Sequence, residues 1–172
     1  GEPRKFTKHT MPRHVRALRQ QCGHMAHAYN VGGMPPARDR EGGFRTLLRI
    51  IVDQQISVHA GAAIWAKLEK RLTDITAARV LAVQEHTLQE CGLSGQKIRY
   101  ARELAKAIRS GGLDLEALHK LDDDTAAAQL TQVKGVGTWT AEIYLMFAMG
   151  RPDIMPAGDL AIQVAVQNLM GL

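Results

Sequence analysis

Two cysteines, Cys22 and Cys91, are all that the 172 residues contain. That is too few for a disulfide framework, so a reducing cytoplasm is the expected setting. No apolar run approaches the ~18 residues that a membrane-spanning helix needs, and the opening G-E-P-R-K-F lacks the apolar core of a signal peptide. No stretch alternates apolar and polar residues as a half-buried strand does. No self-similarity recurs at a period of about 20–50 residues, and no segment is of low complexity. Membrane-spanning, disulfide-stapled, β-sheet and repeat architectures are thereby set aside.

What remains is apolar residues spaced every three or four positions, the period of a helix packed on one face. Hydrophobic residues at 45% suffice for a core, and 172 residues suffice for one domain or two small lobes. The net charge of +5 favours a polyanionic partner. Pro12 opens a helix expected to run to Tyr29, and a Pro/Gly-rich loop covers 34–43. Helices are expected at 44–52 and 57–72, with Ser57 as N-cap, then near 76–83 and 87–91. Ser94 caps a long helix ending at Gly111-Gly112, and helices at 114–121 and 124–131 follow. A helix at 138–149 and another at 160–170 complete an all-α chain. The latter reads as continuing at Leu172, where the chain stops. The Asp122-Asp123-Asp124 run reads as a helix start, where acids meet the positive end of the dipole.

The most informative stretch is L-T-Q-V-K-G-V-G-T-W-T-A-E (130–142), with Asp159 lying 20 residues beyond Trp139. Gly135 and Gly137 permit a tight reversal between two helices. The first amides of the following helix, from Thr138, are then open to a phosphate. This stretch resembles the helix-hairpin-helix of the DNA glycosylase superfamily, in its alkylbase branch (DNA-3-methyladenine glycosylase II). Three further segments carry the resemblance: L-L-R-I-I-V-D-Q-Q-I-S (47–57), L-S-G-Q-K-I-R-Y-A-R-E-L-A (93–105) and D-I-M-P-A-G-D-L-A (153–161). It spans roughly residues 44–172. It implies two helical lobes with a cleft between them: 44–155, carrying the hairpin at 124–149, and 1–43 with 156–172. Relatives of this kind extend the second lobe by further helices. The implied activity is that of a monofunctional hydrolase of base excision repair. It would remove 3-methyladenine or 7-methylguanine flipped out of duplex DNA, acting as a cytoplasmic monomer held on the nucleoid through DNA.

Cleaving an N-glycosidic bond builds positive charge on the sugar, which an anionic carboxylate stabilises while orienting the attacking water. The resemblance assigns that role to Asp159, which also reads as a plain N-cap; a capped carboxylate can do both. Relatives that cut the backbone carry a Schiff-base lysine where this chain has Trp139, so base removal without strand scission is expected. Lys134 reads as a phosphate-facing charge. Trp139 is expected to stack on a cationic alkylpurine, or else to belong to the core with Ile143 and Phe147. Trp65 and Tyr144 are weaker candidates for the same pocket, with the core as the alternative. In the Asp53-Gln54-Gln55-Ile56 loop, Gln55 is expected to fill the gap left by the flipped base, with Gln54 beside the orphaned partner. The alternative there is a plain polar connection. Ser94 and Lys97 suggest a second backbone contact, with a solvated basic face as the alternative.

The resemblance further implies a monovalent cation on the main-chain carbonyls of Thr131, Val133 and Val136, with no other cofactor required. His9, His14, Cys22, His24 and His27 share a region without standard zinc spacing. The four clustered cysteines of an iron–sulfur site are not seen. Asp53 replaces a common glycine, and Ala157-Gly158 and Ala161 depart from frequent choices around Asp159. Two competing readings stay open: a non-catalytic helix-hairpin-helix module, and a superfamily glycosylase for another damaged or mismatched base.

Overall fold

The computed structural model describes residues 6–37 and 40–171. Their regular structure is entirely helical: α1 (Met11–Gln21), α2 (Gly23–Gly32), α3 (Phe44–Asp53), α4 (Val58–Leu72), α5 (Ala77–Ala82), α6 (Glu85–Glu90) and α7 (Gly95–Arg109) lead to a 3-10 turn (Ala117–Lys120). After it come α8 (Asp123–Thr131), α9 (Thr138–Phe147) and α10 (Leu160–Met170). The start signals read from the sequence operate as side-chain caps. Ser57, Thr76, Ser94 and Asp122 each accept a hydrogen bond from the amide three residues on, meeting one of the donors a helix start leaves unpaired.

The core sits around α3, whose Leu47, Leu48, Ile50, Ile51 and Val52 are all buried. Burying each such side chain fully stabilises by about 1.5–3 kcal/mol relative to exposure. α3 packs on α4, α7 and α9, while α8 and α9 pack as the two arms of the hairpin. A buried arginine closes that pair: Arg151, 3% exposed, donates to Asp123 Oδ1 at 2.8 Å and to the carbonyls of Leu118 and Leu121 at 3.0 and 2.8 Å. The end of α9 is thereby fastened to the start of α8.

α1, α2 and α10 form a second, smaller group. α1 packs on α2 and α2 on α10, where His24 Nδ1 lies 3.1 Å from the Leu169 carbonyl. None of these three helices has a fully buried residue.

Three expectations need correction. The helix expected from Pro12 to Tyr29 breaks at Cys22, which is extended (φ −138°, ψ 117°) and caps α2. Gly23 follows it, and a glycine inside an unbroken helix costs about 1 kcal/mol. The helix expected over 114–121 is only a 3-10 turn, because Asp114 Oδ1 accepts from the amides of Glu116 and Ala117 and holds the chain in a local turn. The last helix closes at Gly171, whose left-handed backbone (φ 71°) lets its amide reach the Gln167 carbonyl.

Candidate active site

A cleft of about 900 Å³ opens where the hairpin, the loop after α3 and the start of α10 converge. Asp159 lies at its wall as the N-cap of α10. Both carboxylate oxygens are engaged: Oδ1 accepts from the amides of Ala161 (2.9 Å) and Ile162 (3.2 Å), and Oδ2 accepts from Trp139 Nε1 at 2.8 Å. The Trp139 hydrogen bond is the largest influence and stabilises the charged form; burial opposes it, and the amides of Ile162 and Ala161 add to it. Together the three hydrogen bonds hold the carboxyl below its usual range. The result is a carboxylate fixed in orientation, ionised at neutral pH and open to the cleft. Trp139 is half-buried at the start of α9. Its indole N–H is used on Asp159, so the ring is oriented by the carboxylate as well as by packing.

At the hairpin the two glycines differ in what they require. Gly135 has φ +96°, and a Cβ there would overlap the Tyr100 ring, with Cδ1 at 2.6 Å. Backbone conformation and space both demand glycine. Gly137 is extended (φ −85°, ψ 178°), and nothing lies within 4 Å of where its Cβ would be. Its lack of a side chain leaves the approach to the α9 N-terminus open. Among the described residues the amides of Gly137, Thr138 and Trp139 have no protein acceptor, the state in which a helix start attracts an anion. Thr138 and Lys134 are exposed beside them.

Other predicted site residues are placed differently. Gln54 turns inward instead of reaching for an unpaired base: its Nε2 donates to the Gly135 carbonyl (3.0 Å) and to Thr140 Oγ1 (2.8 Å). Gln55 is exposed and left-handed (φ 55°) at the cleft. Ser94 spends its hydroxyl capping α7. Lys97 Nζ donates to the Val52 carbonyl at 2.6 Å, so its ammonium complements the negative end of α3 rather than standing free for a phosphate. Burial lowers its pKa, partly offset by nearby Asp53.

Trp65 and Tyr144 are not in this cleft. Trp65, 7% exposed, donates Nε1 to Glu69 at 2.9 Å and packs beneath the guanidinium groups of Arg45 and Arg49 around a separate pocket. Tyr144, 1% exposed, is a core ring whose hydroxyl accepts from the Gly43 amide at 2.8 Å. Both take the core places that their helical spacing offered as the alternative.

Two residues were missed as site groups. Tyr100 lines the cleft and walls Gly135, with Gln96 Nε2 on its hydroxyl at 2.6 Å. Thr140, 2% exposed, offers the buried hydroxyl that Gln54 meets. The i, i+4 spacing of Gln96 and Tyr100 was the only signal for Tyr100, and nothing in the sequence marked Thr140. Among the described residues no three His, Cys, Asp or Glu side chains are grouped to hold a metal ion, His9, His14, Cys22, His24 and His27 included.

Comparison with known proteins shows the family of the chain. The family described as HhH-GPD superfamily base excision DNA repair protein matches residues 48–172. DNA-3-methyladenine glycosylase 1 of Schizosaccharomyces pombe is 30% identical over 139 residues, covering 77% of this chain and 61% of that protein. An alkylbase DNA glycosidase-like protein of the same organism is 28% identical over 134 residues, covering 75% and 63%. The chain thus spans about three fifths of the length of these curated relatives. Among solved structures, the S. pombe 3-methyladenine DNA glycosylase in complex with abasic DNA superposes with a TM-score of 0.83 at 28% identity, covering 92% of this chain and 80% of that one. The chain belongs to the HhH-GPD superfamily of base excision DNA repair proteins.

Proposed function

We propose that this protein is a monofunctional DNA glycosylase that hydrolyses the N-glycosidic bond of alkylated purines flipped out of duplex DNA. The observation that carries the reading is the Asp159 carboxylate, held on one oxygen by Trp139 and on the other by the α10 amides, at the edge of an open cleft. A phosphate grip alone needs neither residue. Alkylation on a ring nitrogen makes the purine cationic and a good leaving group. As the bond to it breaks, positive charge grows on the sugar, and the fixed carboxylate stabilises it. The same carboxylate orients the water that attacks, and takes a proton from it. The Trp139 ring stands beside Asp159, where its face offers the cationic base a stacking surface. The names of the relatives support alkylated purines as the substrate class.

Backbone contact falls to the free amides at Gly137, Thr138 and Trp139, with Lys134 adding charge. A monovalent cation fits the hairpin turn. The carbonyls of Thr131 and Val136 accept no hydrogen bond among the described residues, and that of Val133 accepts one, from Val136. Carbonyl oxygens in this state suit such an ion, and holding it would stiffen the turn that presents the amides.

Release of free 3-methyladenine or 7-methylguanine from alkylated duplex DNA tests the proposal. Base release well above that of Asp159→Asn is expected. Duplex binding without any release would leave a non-catalytic hairpin module instead. Borohydride should trap no protein–DNA adduct, since an indole stands at the Schiff-base position. An adduct that disappears on changing Lys134 or Lys97 would locate an amine in the reaction.

A further inference from the structure

We propose that Gln54 is a positioning residue that carries the geometry of the phosphate-binding hairpin to Gln55, the side chain that enters the gap left by a flipped base. This rests on the base-flipping reading above.

Gln55 is one of two non-glycine residues with positive φ among those described. A glutamine persists in that conformation only where its surroundings impose it. The chain around it is held on both sides. Before it, Lys97 Nζ grips the Val52 carbonyl at the end of α3; after it, Ser57 begins α4 with its hydroxyl on the Ala60 amide. Between these anchors Gln54 reaches away from the loop and spends both amide hydrogens on the hairpin side, one on Gly135 and one on Thr140. A carbonyl oxygen can only accept, so the amide nitrogen must face Gly135.

Both acceptors are specific. Gly135 is the glycine fixed by φ and by the Tyr100 ring, and Thr140 Oγ1 is buried with Gln54 as its hydrogen-bond partner. The hairpin that holds a backbone phosphate and the loop that presents Gln55 therefore move as one body. Gln55 itself is exposed and makes no side-chain hydrogen bond among the described residues, so it is free to enter a base stack.

The test is a double-mutant cycle on wild type, Gln54→Ala, Gln55→Ala and the double variant, all in the full chain. The readout is fluorescence of 2-aminopurine beside a stable abasic-site analogue in duplex DNA, with affinity for undamaged duplex measured alongside. Gln54→Ala should lower the preference for the abasic duplex by about tenfold, with undamaged-duplex affinity unchanged. In the Gln55→Ala background it should cost no more than about twofold, because a residue that acts through another has nothing left to position. Additive losses would overturn the proposal in favour of a direct contact between Gln54 and DNA. An equal loss on undamaged duplex would overturn it in favour of simple support of the hairpin.

Should Gln54→Ala fold poorly, the same cycle with Thr140→Val removes one of the two acceptors at nearly constant shape. Thr140→Ser should restore the wild-type preference, and failure to restore it counts against the link. The abasic analogue cannot be cleaved, so these results stand apart from base release. A protein that releases alkylpurines yet shows additive losses sinks this inference alone.

Discussion

Asp159 accepts three hydrogen bonds on two oxygens, and that arrangement determines what its amide substitute can do. In Asp159→Asn the side-chain oxygen can still cap α10, but the NH₂ group then faces the indole N–H, donor against donor. The variant loses the charge and the Trp139 link together while keeping the helix start. Single-turnover base release should be nearly abolished, with duplex affinity retained and helical content by circular dichroism unchanged. Trp139→Phe separates the two losses: it keeps the charge and removes the hydrogen bond that does most to depress the pKa. In the wild type the carboxylate stays ionised below the ordinary aspartate value of about 3.9, so the acidic limb of the pH–rate profile lies below it. Removing the donor should move that limb to higher pH. The stability contribution has the matching sign: a depressed folded pKa stabilises above the ordinary value, and that contribution is lost as pH falls through the folded one.

At the scale of elements, the hairpin glycines give opposite expectations. Gly135→Ala places a Cβ at positive φ and against the Tyr100 ring, so it should destabilise the fold by about 1–2 kcal/mol or more, seen as a lower melting temperature. Gly137→Val should stay folded, because its backbone is extended and its surroundings are open. It should weaken binding to damaged and undamaged duplex alike, flattening the slope of log affinity against log salt by about 0.9. Much of this element-level picture was legible in the sequence. Ser57, Ser94, Asp122 and Asp159 announce helix starts because a short polar side chain at that position has one dominant use. Gly135 announces the reversal for the same kind of reason. What stayed hidden was direction across the molecule. Trp65, Trp139 and Tyr144 share helical, apolar surroundings in sequence, and only packing decides that one faces the cleft and two do not. Gln54 and Lys97 looked free because their acceptors lie more than 40 positions away: main-chain carbonyls for both, and for Gln54 also the Thr140 hydroxyl.

Across the whole molecule, Arg151 ties the two arms of the hairpin through one carboxylate and two carbonyls. Arg151→Met fills the space but leaves those acceptors short of donors, and should cost about 3 kcal/mol in urea denaturation. α10 enjoys no comparable anchorage. It buries no residue fully and rests on α2, itself without a buried residue. The 2.8 Å contact between Trp139 and Asp159 therefore joins a firmly held helix to a lightly held one. Any movement of α10 away from the hairpin stretches that bond, and with it withdraws the main cause that keeps the carboxylate acidic. Opening of the cleft and protonation of Asp159 are consequently two sides of one equilibrium, each favouring the other by the same free energy. The acid strength of a single side chain is thus tied to how closely the start of α10 stays on the hairpin.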